Sequence, residues 1–221
     1  VTEAIHQQHG TVDKYIGDGV MAFWGAPQPL PLHAEAGCEA ALACQRAIVS
    51  LSGRHSDQPE FPTRIGLHTA EVLVGNFGSA DRLNYTVLGD GVNVASRLEH
   101  LCGYFGVAIL ISERTQALVA DRFCTRRLGP VAIRGREQPL TVFELLGERS
   151  QVDAGLLARV ARYEEALQLF LERRFGEAAQ RREVLLAQGD DAAARRLLTA
   201  VELQAGRRDQ AENASLWTPV L

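Results

Sequence analysis

The chain has 221 residues, of which 46% are hydrophobic and 23% are charged, and its formal net charge is −4. This composition is typical of a folded globular protein and excludes a largely disordered chain. The acidic balance argues against a duplex nucleic-acid partner, and no uncharged apolar run approaches the ~18 residues that a membrane helix needs. The length favours one domain of about 150 residues with a smaller appendage.

The N-terminal quarter predicts a helix end, a β-hairpin and a long helix. Residues 1–9 are typical of the end of a helix, and because the chain opens inside it we expect a truncated start. Apolar runs on both sides of the turn 17–19 favour two strands, since Asp-Gly between such runs is a strong hairpin signal. An Ala-rich helix is expected over residues 33–51, followed by a loop at 52–62.

The middle of the chain predicts alternating strands and helices. Strands are expected within 63–77, at 84–88, at 107–111, and as a final pair within 125–146 around a turn at 134–139. A helix over 92–101 is predicted to have Asp90 as its N-cap, and Ser112 is predicted to cap the next helix. This alternation indicates an α/β or α+β protein with a mixed sheet.

The composition shifts after about Arg149, where Ala, Leu, Glu and Arg dominate. Three helices are expected, over 155–173, 176–188 and 191–205. Their apolar spacing resembles a tetratricopeptide (TPR) helical hairpin, but at least three such units are usually needed for independent stability. We therefore expect this segment to pack on the main domain or on another chain.

The cysteines and histidines show no metal-binding pattern. The four cysteines form no CxxC pair, which favours small buried hydrophobes in a reducing compartment. His6 and His9 lie three residues apart on the predicted helix end, without an evident third ligand. We therefore expect no metal role for them.

Several polar residues stand where they could carry chemistry. Asp18 lies at the hairpin tip, either as a turn residue or as an exposed metal ligand. Asn93 and Arg97 share one helix face, which is either a solvated face or a clamp for a phosphate or sugar. Lys14 lies inside a β run among apolar residues, where a cation must reach solvent or find a partner. Arg134 lies in a predicted turn with Arg136, and two such cations are usually just solvated.

Three strings in this sequence resemble the catalytic domain of class III nucleotidyl cyclases, above all the bacterial adenylate cyclases. They are GTVDKYIGDGVMAFWGAP, RIGLHTAEVLVGNFGS and YTVLGDGVNVASRLE, in the order the family has them. The resemblance covers about residues 1–147 and implies an α+β fold with a ferredoxin-like βαββαβ core. Residues 148–221 would then form a C-terminal, TPR-like helical extension.

The resemblance also implies the activity. Such domains convert ATP to 3′,5′-cyclic AMP and pyrophosphate as homodimers, with the nucleotide between the subunits and two magnesium ions, which manganese can replace. The matching positions are Asp18 for the metal, Lys14 and Thr86 for the purine, Asn93 and Arg97 for the ribose and transition state, and Arg134 for the terminal phosphates. The implied location is cytoplasmic, compatible with the cytosolic part of a membrane-anchored receptor, with no nucleic-acid partner and no membrane contact from this segment.

Lys14 predicts ATP over GTP. Adenine N1 is a bare acceptor that a lysine N–H satisfies, and the 6-amino group can donate to the Thr86 hydroxyl. Guanine reverses both groups, so Lys14 would face a donor at N1. Because a hydroxyl can donate as well as accept, Thr86 is expected to discriminate less firmly than a carboxylate.

The sequence departs from the family pattern in three places. Many adenylate cyclases carry Asp at the position of Thr86, although bacterial members also use Thr or Ser. Ala70 stands where the family pattern has a Gly. The first metal Asp belongs to a Phe-x-Asp-Ile/Leu-x-Gly-Phe segment that these residues do not contain. We therefore expect slow or no turnover from this chain. The alternative is a catalytically incomplete nucleotide-binding or dimerising regulatory module, and a diguanylate cyclase is disfavoured because no Gly-Gly-Asp/Glu-Glu-Phe run occurs.

Overall fold

The computed structural model describes residues 1–52, 63–79, 81–133, 138–186 and 191–205. In these ranges the strands are β1 Thr11–Ile16, β2 Gly19–Phe23, β3 Ile65–Leu67, β4 Leu73–Ser79, β5 Arg82–Leu88, β6 Ile109–Ser112, β7 Phe123–Val131 and β8 Leu140–Glu148. The helices are α1 Thr2–Gln7, α2 His33–Ser52, α3 Asp90–Phe105, α4 Glu113–Val119, α5 Ala154–Leu171, α6 Phe175–Gln180, α7 Arg182–Leu186 and α8 Ala192–Ala205. Most of the predicted loop at 52–62, and 134–137 of the predicted turn, lie outside the described residues. Among the described helices, none is both long and apolar enough to cross a membrane.

The predicted N-terminal hairpin forms from β1 and β2. Ile16 pairs with Gly19, which leaves Gly17 and Asp18 as the two turn residues. Gly17 has φ +62°, a left-handed conformation that glycine adopts without steric cost. The turn therefore presents Asp18 at an exposed tip.

Strand β1 contains a bulge at Asp13. Val12 pairs with Ala22 and Lys14 pairs with Met21, so Asp13 is an extra residue in the ladder. Neighbouring side chains of a regular strand point to opposite faces, and a bulge interrupts that alternation. The bulge therefore allows Asp13 and Lys14 to approach the same neighbouring strand.

The central sheet has the strand order β3-β6-β8-β7. Strand β3 is parallel to β6, and β8 is antiparallel to both β6 and β7, which confirms the predicted mixed sheet. Helix α3 packs closely on β3, since a Cβ added to Gly66 would lie 2.3 Å from the carbonyl oxygen of Ala95. The β1–β2 and β4–β5 hairpins form separate two-stranded ladders.

One predicted helix cap is confirmed and the other is wrong. The Ser112 hydroxyl accepts a hydrogen bond from the Thr115 backbone N–H and caps α4. The N-cap of α3 is Gly89, and Asp90 is the first helical residue. Gly89 has φ +157°, which glycine tolerates far better than other residues, so the chain turns from β5 into α3 one residue earlier than predicted. Asp90 instead places a carboxylate in the first turn, where the helix dipole favours it.

The C-terminal segment differs from the prediction in its second helix. The predicted helices over 155–173 and 191–205 correspond to α5 and α8, whereas the predicted helix over 176–188 is divided into α6 and α7. Arg181 separates them because its ψ of −1° departs from the helical value of about −42°.

The sheet is covered by helices on both faces. On one face, Cys38 and Ala41 of α2 pack with Ile109, Ile111 and Phe123. On the other face, the buried residues of α3 and the sheet form one cluster with those of the C-terminal helices, among them Leu98, Leu128, Tyr163, Leu167 and Leu197. The C-terminal helices therefore pack on the main domain, which is the first of the two arrangements predicted for them.

A buried arginine connects the sheet to the C-terminal helices. Nη2 of Arg126 in β7 lies 2.6 Å from Oε2 of Glu144 in β8, and Nη1 bonds to Asp191 ahead of α8. The guanidinium also lies over the Tyr163 ring, 4.7 Å from its centroid. Burial raises the pKa of Glu144. Burial would also raise the pKa of Asp191, but the hydrogen bond and charge of Arg126 outweigh it and lower that pKa.

All four cysteines are free and buried, in agreement with the role predicted for them. Burial raises the pKa of Cys38 and of Cys102 to about 12. The reactive thiolate is therefore scarce at neutral pH.

Candidate active site

Lys14 and Thr86 meet between β1 and β5, although 72 residues separate them in the sequence. Lys14 Nζ donates to Thr86 Oγ1 at 3.2 Å and lies 3.3 Å from Oδ1 of Asp13. The Thr86 hydroxyl donates to Oδ2 of Asp13 at 2.5 Å. Asp13, Lys14 and Thr86 thus form a closed polar triad, in which each side chain contacts the other two.

The members of the triad differ sharply in their exposure. The Asp13 side chain is 2% exposed and that of Lys14 is 47% exposed, while Thr86 is 6% exposed. A buried carboxylate is costly unless it is paired and hydrogen-bonded, and Lys14 and Thr86 supply those partners. The Lys14 ammonium is therefore bound by Asp13 and Thr86 on one side and exposed to solvent on the other.

Asp13 is the member of the triad that sequence reasoning missed. The sequence signal that could have identified Asp13 is its position as an acidic residue beside Lys14 in an otherwise apolar strand. Regular alternation would place the two side chains on opposite faces of β1, and only the bulge brings them together. Bulge positions are not encoded in a simple residue pattern.

Asn93 and Arg97 lie in the first two turns of α3. The buried face of this helix includes Val94 and Leu98, whereas Asn93 is exposed and Arg97 is half-buried. The helix begins two residues after β5 ends, so the pair follows Thr86 through a short connection. Across the part of the chain that the structure describes, neither residue forms a hydrogen bond to the triad. Of the predicted site residues, the structure therefore joins Lys14 to Thr86 directly and places the helix pair on the next element.

Asp18 and Arg134 are the remaining predicted site residues. Asp18 is exposed at the tip of the hairpin that carries Lys14, and Arg134 lies outside the described residues. No group of three or more metal-ligating side chains occurs among the residues with described positions. Magnesium is commonly bound by one or two carboxylates together with substrate phosphates, so a single exposed aspartate fits a metal shared with a nucleotide.

Comparison with known proteins shows the family of this domain. The model of the adenylate and guanylate cyclase catalytic domain matches residues 2–146, and the chain belongs to this family. The resemblance found in the sequence is therefore confirmed.

Two curated relatives show how much of a larger protein this chain represents. Adenylate cyclase 1 of Rhizobium meliloti is 38% identical over 148 residues, which are 66% of this chain and 22% of that protein. Adenylate cyclase of Anabaena cylindrica is 31% identical over 152 residues, 65% of this chain and 29% of that protein. The chain thus spans less than a third of the length of either relative.

Solved structures of both adenylyl and guanylyl cyclases are similar to this one. The adenylyl cyclase CyaB from P. aeruginosa has a TM-score of 0.58 and 28% identity, with 69% of this chain and 79% of that chain covered. The guanylyl cyclase Cya2 has a TM-score of 0.54 and 29% identity, with 69% and 77% covered. Because the two likenesses are nearly equal, the choice of purine has to be argued from the residues of this chain.

Proposed function

We propose that this domain converts ATP to 3′,5′-cyclic AMP and pyrophosphate. The observation that carries the proposal is the half-exposed Lys14 ammonium held beside the Thr86 hydroxyl. Adenine N1 would accept a hydrogen bond from Lys14, and the adenine 6-amino group would donate one to Thr86. Lys14 and Thr86 would thereby bind the edge of the base that distinguishes the two purines.

The reaction is an attack of the ribose 3′-oxygen on the α-phosphorus. The new P–O bond closes the ring, the bond to pyrophosphate breaks, and the 3′-hydroxyl loses its proton. Catalysis of this kind depends on positioning and on stabilising charge. Asn93 would orient the ribose, Arg97 would stabilise charge on the α-phosphate, and Arg134 would hold the terminal phosphates.

Asp18 is the proposed metal ligand. Its carboxylate lies at an exposed turn, where substrate phosphates can complete the coordination of a hard cation. Two magnesium ions would supply activation of the 3′-hydroxyl and neutralisation of the phosphates. Asp18 would supply a carboxylate to hold them.

A homodimer is proposed because the strands that carry the site residues also carry exposed apolar side chains. Large side chains of β1, β4 and β5 are exposed to an unusual degree: Tyr15 65%, Ile16 63%, Leu73 70% and Leu83 62%. Exposed apolar residues grouped on neighbouring elements are typical of protein interfaces. In such a dimer, Asp18 of one copy would complete a site with Lys14 and Thr86 of the other.

A nucleotide-binding regulatory module is the alternative function to be tested. The first metal Asp of the family pattern has no match in residues 1–221. A cyclic AMP assay with manganese distinguishes the candidates when this chain is compared with an extended chain, in which a Phe-x-Asp-Ile-x-Gly-Phe segment precedes Val1. Cyclic AMP formation by the extended chain supports the enzyme. Nucleotide binding without turnover in either protein supports the regulatory module.

We expect Lys14→Glu in the extended chain to abolish the preference for ATP over GTP. A glutamate places an acceptor opposite adenine N1, and an unsatisfied group of this kind costs about 1–3 kcal/mol, roughly 5- to 150-fold in kcat/KM. The measurement is kcat/KM for each nucleotide. Arg82→Glu, the same charge change at an exposed position of β5, serves as the control and should leave the ratio unchanged. An unaltered ratio in Lys14→Glu would refute the assignment of Lys14.

A further inference from the structure

The hydroxyl of Thr86 alone would discriminate poorly between adenine and guanine. A threonine hydroxyl carries one donor and two acceptor lone pairs, and its hydrogen rotates to suit the partner. It could accept from the adenine 6-amino group or donate to guanine O6. Discrimination by Thr86 therefore requires something that fixes the direction of the hydroxyl.

The buried carboxylate of Asp13 has the position and chemistry to do this. Oδ2 of Asp13 lies 2.5 Å from Thr86 Oγ1 and can only accept, so the single hydroxyl hydrogen is used in this bond. Lys14 Nζ approaches the same oxygen at 3.2 Å and occupies one of its lone pairs. What remains on Thr86 is one lone pair, which is an acceptor.

The hydrogen-bond donors of the Lys14 ammonium can be counted in the same way. Of its three N–H donors, one is directed at Thr86 and one at Oδ1 of Asp13, 3.3 Å away. One donor remains for a ligand. The triad thus offers one donor and one acceptor side by side, which matches adenine N1 and its 6-amino group.

We propose that Asp13 is a positioning residue that selects adenine by holding the Thr86 hydroxyl as an acceptor. The proposal rests on the proposed cyclase function and on Lys14 and Thr86 binding the purine. In this arrangement a Thr–Asp pair presents the same hydrogen-bonding face as the aspartate found in many adenylate cyclases. Guanine seated in the same way would place its O6 acceptor against the Thr86 lone pair and its N1 donor against Lys14.

Asp13 could instead serve only to neutralise the charge of Lys14, but its position favours the role of orienting the Thr86 hydroxyl. A counter-ion for a half-exposed lysine needs no burial, yet the Asp13 side chain is 2% exposed. It also occupies the bulge, which turns it towards β5 and the Thr86 hydroxyl. Neutralisation alone would affect both nucleotides alike, whereas orientation of the hydroxyl affects their ratio.

The test is Asp13→Asn in the extended chain. Asparagine has nearly the same shape, but its amide can donate to Thr86 Oγ1, which frees the hydroxyl hydrogen to face guanine O6. We expect the ratio of kcat/KM for ATP to that for GTP to fall about tenfold, mainly through better use of GTP. Asp13→Glu, which keeps a carboxylate, should retain more of the preference. Asp121→Asn, at an exposed turn, is the matched control and should change nothing.

A double-mutant comparison separates orientation from a general structural effect. In Thr86→Val the hydroxyl is absent, so adding Asp13→Asn should not alter the ratio further. Equal losses with ATP and GTP in Asp13→Asn, at an unchanged melting temperature, would overturn the proposal. If the unmutated extended chain formed neither cyclic nucleotide, the proposed function would fail instead. The role of Asp13 would then be decided by the ratio of the ATP and GTP dissociation constants, measured by calorimetry on the same variants.

Discussion

Replacing Arg97 by alanine in the extended chain is expected to lower kcat for cyclic AMP formation by about 100- to 1,000-fold. Arg97 lies one turn after Asn93 on α3, half-buried beside the apolar face that fixes this helix on the sheet. A guanidinium on a rigid helix needs little reorganisation to meet charge that develops on the α-phosphate. Because that charge grows only towards the transition state, KM should change much less than kcat.

Two variants control this experiment. Arg97→Lys keeps the charge but loses the planar fork of donors, and we expect it to recover only part of the activity. Arg114→Ala removes an exposed arginine from α4 and should leave kcat unchanged. A kcat within threefold of the unmutated value in Arg97→Ala would remove Arg97 from the proposed mechanism.

Replacing Arg126 by methionine is expected to lower the free energy of unfolding by about 3–5 kcal/mol. The Arg126 side chain is 8% exposed and its partner Glu144 is 14% exposed, so the substitution leaves a buried carboxylate without its cation. Burial already raises the pKa of Glu144, and loss of Arg126 would raise it further. The loss is a large share of the 5–15 kcal/mol that stabilises most domains. Urea denaturation followed by circular dichroism measures it.

The matched comparison is the exposed ion pair between Arg182 and Glu202. Their side chains are 60% and 51% exposed, and Arg182→Met should cost less than about 1 kcal/mol. Adding Glu144→Gln to Arg126→Met removes the stranded charge and should restore part of the stability. A loss below about 1 kcal/mol in Arg126→Met would show that this cluster does not hold the C-terminal helices on the sheet.

Local patterns in the sequence predicted most of the secondary structure. Asp-Gly between apolar runs determined the first hairpin, and apolar periodicity located α2, α3, α5 and α8. The errors fall where a single backbone angle decides the boundary, as at Gly89 before α3 and at Arg181 between α6 and α7. Such angles depend on packing, which a propensity argument does not contain.

The candidate site was predictable only in part. The cyclase-like strings singled out Lys14 and Thr86, and the structure brings these two side chains into contact. Asp13 could not be assigned, because its role depends on a bulge and on a strand 73 residues away. The Arg126 cluster was missed for a similar reason, since its acidic partners come from β8 and from the residue that precedes α8.

A complementation experiment tests most directly the claim that ATP is cyclised at a site shared by two protomers. Lys14→Glu and Asp18→Asn are prepared separately in the extended chain, and cyclic AMP formation is measured for each alone and for an equimolar mixture. We predict little activity in either variant and recovery to about a quarter of the unmutated rate in the mixture, because half of randomly paired dimers are mixed and each has one intact site. A mixture that stays inactive although mixed dimers form would contradict the shared site.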